Sequence, residues 1–328
     1  MTVSRVLAGQ AGVGEQTREK VREVARRLKY ERSSLAVNFA RNRSGFIGVA
    51  TDFSGLLGTR YFQETMAGFQ RVLRNTGLDF AMFDTLSEVF ESPEELARLY
   101  RQRKADGFLI VAPHKKVRYL KTLVELGTAF IVVGERASDP AVPSVSCDDE
   151  MGIRLLCEHL QALGHTEMAY FAGPTNLGSA GRRQQAFIDF MRKEQLNIPK
   201  HFVQHAGYTM EAGKAAALRA MKNKRRPTAI LAANDVAALG VIDGVRECGL
   251  RVPEDVSVAG FDDLLTATES RARLTTIHQT VVEIGERGAR ILLDAIETGK
   301  LPTGHVDMPV SLVVRDTTGP ANPSVRPD

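Results

Sequence analysis

GFLIVAPHKKVRYLKTLVELGTAFIVVG, residues 107–134, decides the fold. Two apolar runs, GFLIVA (107–112) and AFIVVG (129–134), flank a stretch of helical composition at 118–127. Neither run alternates polar with apolar residues. A strand that is apolar on both faces belongs in a parallel sheet covered by helices on each side. The same texture extends outward. Further runs are FIGVAT (46–51), DFAMFD (79–84), SVSCD (144–148), MAYFAG (168–173), AILAAN (229–234) and VSVAGFDD (256–263), with helical stretches between them. There are too many such units for one core. The sequence therefore predicts an α/β protein with two doubly wound parallel-sheet subdomains. In such folds ligands lie beyond the carboxyl ends of the strands, so the polar residues there are informative: Asp52, Asp148, Asp149, Asn234, Asp235, Asp262 and Asp263.

The first 45 residues have a different character. They hold ten Lys and Arg against four Glu, six positive charges in excess, whereas the whole chain is only +4. A basic head thus precedes a mildly acidic body, which suggests a polyanionic partner for the head. Residues 2–8 have helical composition and Gly9 is a stop. Glu15 to Leu28 reads as an amphipathic helix with Val21, Val24, Ala25 and Leu28 on one stripe. SSLAVNFARNRS (33–44) is a weak helix that would order only against a partner.

Composition excludes several classes. At 43% apolar and 25% charged residues, the chain reads as globular. It contains no apolar run long enough for a membrane helix, and no leader-like apolar region opens it. Cys147, Cys157 and Cys248 lack CxxC spacing and read as reduced thiols in a cytoplasm. No metal-ligand motif, cofactor fingerprint or nucleophile–base constellation is visible, so neither a cofactor nor a catalytic residue is expected. GLLG (55–58) lacks the third glycine of a dinucleotide site. His165, at the end of a helical stretch, is accounted for by the helix dipole.

Taken together, TVSRVLAG (2–9), EQTREKVREVARRLKY (15–30), SSLAVNFA (33–40), LGHTEMAYFAGP (163–174), RRQQAF (182–187), RPTAILAANDVAALGVI (226–242), LRVPEDVSVAGFDD (250–263) and LTTIHQ (274–279) resemble, in order and nearly end to end, the lactose-repressor (LacI-type) family of bacterial transcription regulators. The resemblance implies a partial helix-turn-helix head (1–30), a hinge helix and linker (31–45), and an effector-binding core like that of periplasmic binding proteins (46–328). Within the core it implies an N-subdomain of about 46–146 and 280–308 and a C-subdomain of about 147–279 and 309–320. It implies a homodimer on a pseudo-palindromic double-stranded DNA operator, switched by a small effector, with no membrane partner.

Residue by residue, the resemblance places Thr2, Ser4 and Arg5 on the recognition helix and makes Phe39 a minor-groove wedge. Arg is the side chain best suited to a guanine edge, and an apolar wedge kinks DNA. Arg183, Asn234 and Asp262 match effector positions, joined by Ser179, Tyr208, Gln279 and the aromatic pair Tyr61 and Phe62; Asp148 is a further residue that can face the cleft. A guanidinium, an amide and a carboxylate together suit a sugar or sugar acid. Leu177 stands where a purine-binding member carries Arg, which argues against a purine.

Three departures stand out. The chain begins inside the recognition helix, so an upstream first helix is expected to be missing and DNA binding to be weak without it. Phe39 replaces the usual hinge Leu. Gln279-Thr280 replaces Gln-Pro. The rival readings are an exported solute-binding protein without DNA binding, which leaves the basic head unexplained, and an α/β enzyme, for which adjacent Asp262 and Asp263 are poorly disposed.

Overall fold

The structure, a computed structural model, describes residues 2–7, 11–30, 38, 43–85, 94–115, 117–264 and 272–322. Phe39 and most of the hinge segment lie outside the described residues, as does the side chain of Ser4.

The head consists of α1 (Thr2–Leu7) packed on α2 (Glu15–Arg27). Val6 is buried. The apolar stripe read from the sequence is present on α2, yet no α2 residue is fully buried. Val3, Val21, Val24, Ala25, Leu28 and Tyr30 line an open apolar groove of about 350 Å³.

The first lobe is built on a six-stranded sheet. Its strands are β1 (Phe46–Thr51), β2 (Asp79–Asp84), β3 (Gly107–Val111), β4 (Phe130–Val133), β5 (Ser144–Cys147) and β11 (His305–Met308), in the order β11-β5-β4-β3-β1-β2. Every pairing in this sheet is parallel. Helices α3 (Arg60–Leu73), α4 (Glu95–Arg101), α5 (Tyr119–Glu125) and α10 (Val281–Thr298) belong to the first lobe.

The second lobe follows α6 (Asp149–Ala162). It contains β6 (Met168–Ala172), α7 (Gly178–Lys193), β7 (Val203–His205), α8 (Met210–Met221), β8 (Ala229–Ala232), α9 (Asp235–Glu247) and β9 (Ser257–Ala259). Its parallel sheet has the order β7-β6-β8-β9. β10 (Thr276–Gln279) pairs antiparallel with β12 (Val310–Val313), and these two strands carry the chain between the lobes.

Reading continuous apolar runs as buried parallel strands finds β1 to β6, β8 and β9. It misses β7, β11 and β12, short strands of partly exposed residues, and β10, a mostly buried strand whose residues TIHQ are largely polar. α10 shows how the first lobe is held together. Val281, Ile284, Gly285, Gly288, Ala289, Leu292 and Ala295 form one buried stripe. A Cβ at Gly285 would lie 2.1 Å from the Thr65 carbonyl oxygen, and one at Gly68 only 1.9 Å from that of Val282. Glycine at both places lets α3 and α10 touch backbone to backbone.

The linker enters the core at a fixed point. Asp106 accepts the amides of Ser44 at 2.7 Å and Gly45 at 2.9 Å, and Arg43 donates to the Ile296 carbonyl near the end of α10 at 3.1 Å.

His165 needs a different account from the helix dipole. Its ring is buried and bonded to Thr228 Oγ1 at 2.9 Å, Ser257 Oγ at 3.1 Å and the Gly319 carbonyl at 3.0 Å. Burial holds its pKa below the ordinary value, the reverse of what a favourable dipole would do. It ties the end of α6 to two strands and the C-terminal tail.

Candidate effector site between the lobes

The carboxyl ends of the two parallel sheets meet, and Arg183 stands at their centre. It lies in the second turn of α7, 5% exposed. Its Nε donates to Asp149 Oδ1 at 2.7 Å and its Nη1 to the Ala233 carbonyl at 2.8 Å. Nη1 is also 3.5 Å from Asp262 Oδ1. The guanidinium plane covers the Phe261 ring at 3.6 Å. Burial alone would weaken its charge; Asp149, Tyr208, Cys147 and Asp262 together more than offset that and hold it protonated. Nη2 meets only the Cys147 sulfur at 3.9 Å among the described residues, leaving donor capacity toward the cleft.

Asp262 follows β9. It and Asp263 both have positive φ, 128° and 53°. Two consecutive non-glycine residues in this region are costly and persist where surrounding contacts hold them. The kink separates the two carboxylates. Asp263 turns to Arg315 at 2.6 Å and His278 at 3.1 Å, a supporting role. Asp262 turns toward Arg183 and accepts from Gln279 Nε2. Burial pushes the Asp262 carboxyl up to about 6, although Arg183 and Gln279 pull it down. Asp235, buried behind it and bonded by Thr276 and the Leu264 amide, is also raised, by burial first and by Asp262 second.

Asn234 precedes α9. Its Oδ1 accepts the Ala237 amide at 2.8 Å and caps the helix. The amide oxygen is thereby engaged, and among the described residues Nδ2 is the group left to donate. Ser179, in the first turn of α7, gives its amide and hydroxyl to Glu135. Tyr208 lies against Gly173, and burial pushes its phenol up to about 12. Tyr61, in the first turn of α3, lies against Gly134 and within the electrostatic reach of Cys147, Asp262 and Glu135.

The structure therefore brings Arg183, Asp262, Gln279, Asn234, Ser179, Tyr208 and Tyr61 together. Phe62 goes elsewhere: one position on from Tyr61 along α3, it turns into the hydrophobic core with Met66 and Phe69. Asp148 is likewise engaged, its Oδ1 capping α6 through the Met151 amide at 2.9 Å. Thr2 and Arg5 are exposed on α1.

Two members of the cluster are absent from the effector residues that the resemblance implies, although Asp149 stands among the polar strand ends. Asp149, fully buried, pairs with both Arg182 at 2.7 Å and Arg183. Glu135 follows β4 and is 4% exposed. The strand-end rule reaches Glu135 as readily as Asn234, but the apolar run ends visually at Gly134. The cluster's one thiol, Cys147, is held protonated by burial and by Asp149, the opposite of what a nucleophile needs.

A basic helical head joined to a two-lobed α/β core with a polar cluster between the lobes defines a ligand-responsive DNA-binding regulator rather than an enzyme. The profile of the lacI family of bacterial regulatory proteins matches residues 1–33, and that of the periplasmic binding protein-like domain matches residues 157–318. The HTH-type transcriptional regulator reg1 of Streptomyces lividans is 32% identical over 98% of this chain and 93% of its own length. Among solved structures, the lac repressor dimer bound to operator and the anti-inducer ONPF superimposes with a TM-score of 0.85. It has 28% identity and covers 97% of this chain and 94% of that one. The transcriptional regulator CelR in complex with cellobiose matches with a TM-score of 0.74, 25% identity, and coverage of 96% and 94%. The chain belongs to the lacI family of bacterial transcription regulators. No helix among the described residues is long and apolar enough to cross a membrane.

Proposed function

We propose that the chain acts in the cytoplasm as a repressor. A homodimer holds a pseudo-palindromic operator through Thr2, Ser4, Arg5 and Phe39, and a sugar-like effector enters the cluster around Arg183. One observation carries the effector half: Arg183, Asn234, Asp262 and Gln279 come from four separate segments and converge with donors and acceptors in excess of their mutual bonds. The excess of positive charge in the head supports the DNA half. Switching is linkage: an effector that prefers the DNA-incompetent arrangement of the lobes lowers operator affinity by that preference.

The test has two arms. Operator fragments recovered by selection from random duplexes are titrated by anisotropy at several salt concentrations. Arg5→Ala is expected to weaken the preferred duplex by roughly 1 to 3 kcal/mol and to relax its sequence preference. A panel of sugars, sugar acids and purines is then screened by thermal shift and by loss of operator binding. A response to a purine with none to any sugar would overturn the effector class.

A further inference from the structure

The charge balance of the cleft restricts what it can hold. Arg182 and Arg183 face three carboxylates: Glu135, Asp149 and Asp262. Asp235, behind Asp262, is held toward its neutral form by burial. Both guanidinium charges are matched by carboxylates. Arg182 donates to Asp149 at 2.7 and 3.0 Å and to Glu135 at 3.4 Å, and Arg183 is bonded as described. Lys115 is exposed at the rim, over the Gly181 turn of α7.

Glu135 occupies the decisive place. Its oxygens accept the Ser179 amide at 2.9 and 3.1 Å and the Ser179 hydroxyl at 2.7 Å, besides Arg182. A helix-start amide, a hydroxyl and a guanidinium are the donors that receive the carboxylate or phosphate of an anionic ligand. Here the opposite lobe supplies the anion. Gly178 makes room for it: a Cβ at that position would lie 2.6 Å from Glu135 Oε2.

Resting on the reading of this cluster as the effector site, the geometry points to a neutral polyhydroxylated effector, with Glu135 as the residue that excludes sugar acids and sugar phosphates. Its carboxylate already fills the anion seat. The remaining capacity is mixed: Arg183 Nη2 and Asn234 Nδ2 donate, while Asp262 and Glu135 retain lone pairs. Hydroxyl groups, each giving and receiving one bond, match that mixture. An anionic ligand would have to evict Glu135 from its donors and then lie beside its charge and those of Asp149 and Asp262. The choice between sugar and sugar acid left open by the sequence is thereby narrowed to the neutral member.

Formate is the direct probe. Glu135→Ala is expected to melt below the wild-type chain, and formate at tens of millimolar to raise its Tm by about 2 °C or more over chloride at equal ionic strength. The wild type is expected to show no such gain. Glu135→Gln keeps the side chain's size and is expected to fold and to ignore formate. Calorimetry with matched pairs (galactose with galacturonate, cellobiose with cellobionate) supplies the second readout. The wild type should favour the neutral member of a bound pair by about tenfold or more, and Glu135→Gln should narrow that ratio. Equal formate responses in wild type and Glu135→Ala, or a wild type that binds the acid member as tightly as the neutral one, would overturn the assignment. If only a purine binds, the sugar reading of the cleft fails, and the formate comparison still decides whether Glu135 fills an anion seat.

Discussion

The head and the core contain helices with the same kind of amphipathic pattern and treat them differently. On α10 the stripe is buried from Val281 to Ala295. On α2 the stripe ends in Leu28, 67% exposed, with Tyr30 at 57% and Val3 at 53% beside it. Periodicity establishes that a face is apolar; whether that face is covered depends on what the rest of the fold brings against it. The core adds a second contrast. The charges buried in its cleft are held by partners from distant segments, whereas those of the head's helices are exposed, apart from Arg18 beside Glu15.

Three experiments press on this comparison. The largest effect is expected for Arg183→Met, which leaves Asp149 and Asp262 buried with less compensation. Loss of one partner from such a network costs roughly 3 to 5 kcal/mol. Urea denaturation of the core transition checks it, and a loss below about 1 kcal/mol would mean that Arg182 alone satisfies Asp149.

Next comes pH. The Asp262 carboxyl, pushed up to about 6, holds a proton in the folded chain that an unfolded carboxyl near 3.9 has already released. The folded state therefore binds more protons between those two values. The contribution of this group is most favourable below about pH 4 and is lost as pH rises through about 6. Measured as wild type minus Asp262→Asn, stability should decline by about 2 to 3 kcal/mol from pH 4 to 7. A difference that is flat across that window would show the carboxyl to be ionised throughout.

The smallest effect is expected in the head. Leu28→Ala should change stability by less than about 0.5 kcal/mol, because the side chain is already in solvent. A core-like loss on this substitution would show that the groove it lines is covered in solution.

Much of the fold was legible because parallel strands buried on both faces have to be apolar throughout. The site was legible in part, through the rule that strand ends carry ligand groups. That rule pointed to Asn234 and Asp262. It could not tell that Asn234 gives its oxygen to a helix cap, nor that Asp262 rather than Asp263 faces Arg183, since the choice depends on two positive φ angles. Phe62 and Tyr61 are neighbours with similar side chains, and only the rotation of α3 sends one to the core and the other to the cleft. His165 was beyond reach for another reason: Thr228, Ser257 and Gly319 are remote in sequence, and only the folded chain gathers them around one ring.

The gripping of α10 at both ends has a mechanical consequence. Its N-terminus follows directly from Gln279, bonded to Asp262, and the Ile296 carbonyl near its far end receives Arg43 at the foot of the linker. Between Val281 and Ile296 the helix axis is about 22 Å long, so each degree of tilt about the effector end moves the linker end by about 0.4 Å. A tilt of about ten degrees displaces it by about 4 Å. A rigid tilt of that size would break the 3.1 Å Arg43 bond unless the arginine side chain followed it, which would carry a change at Gln279 to the foot of the linker.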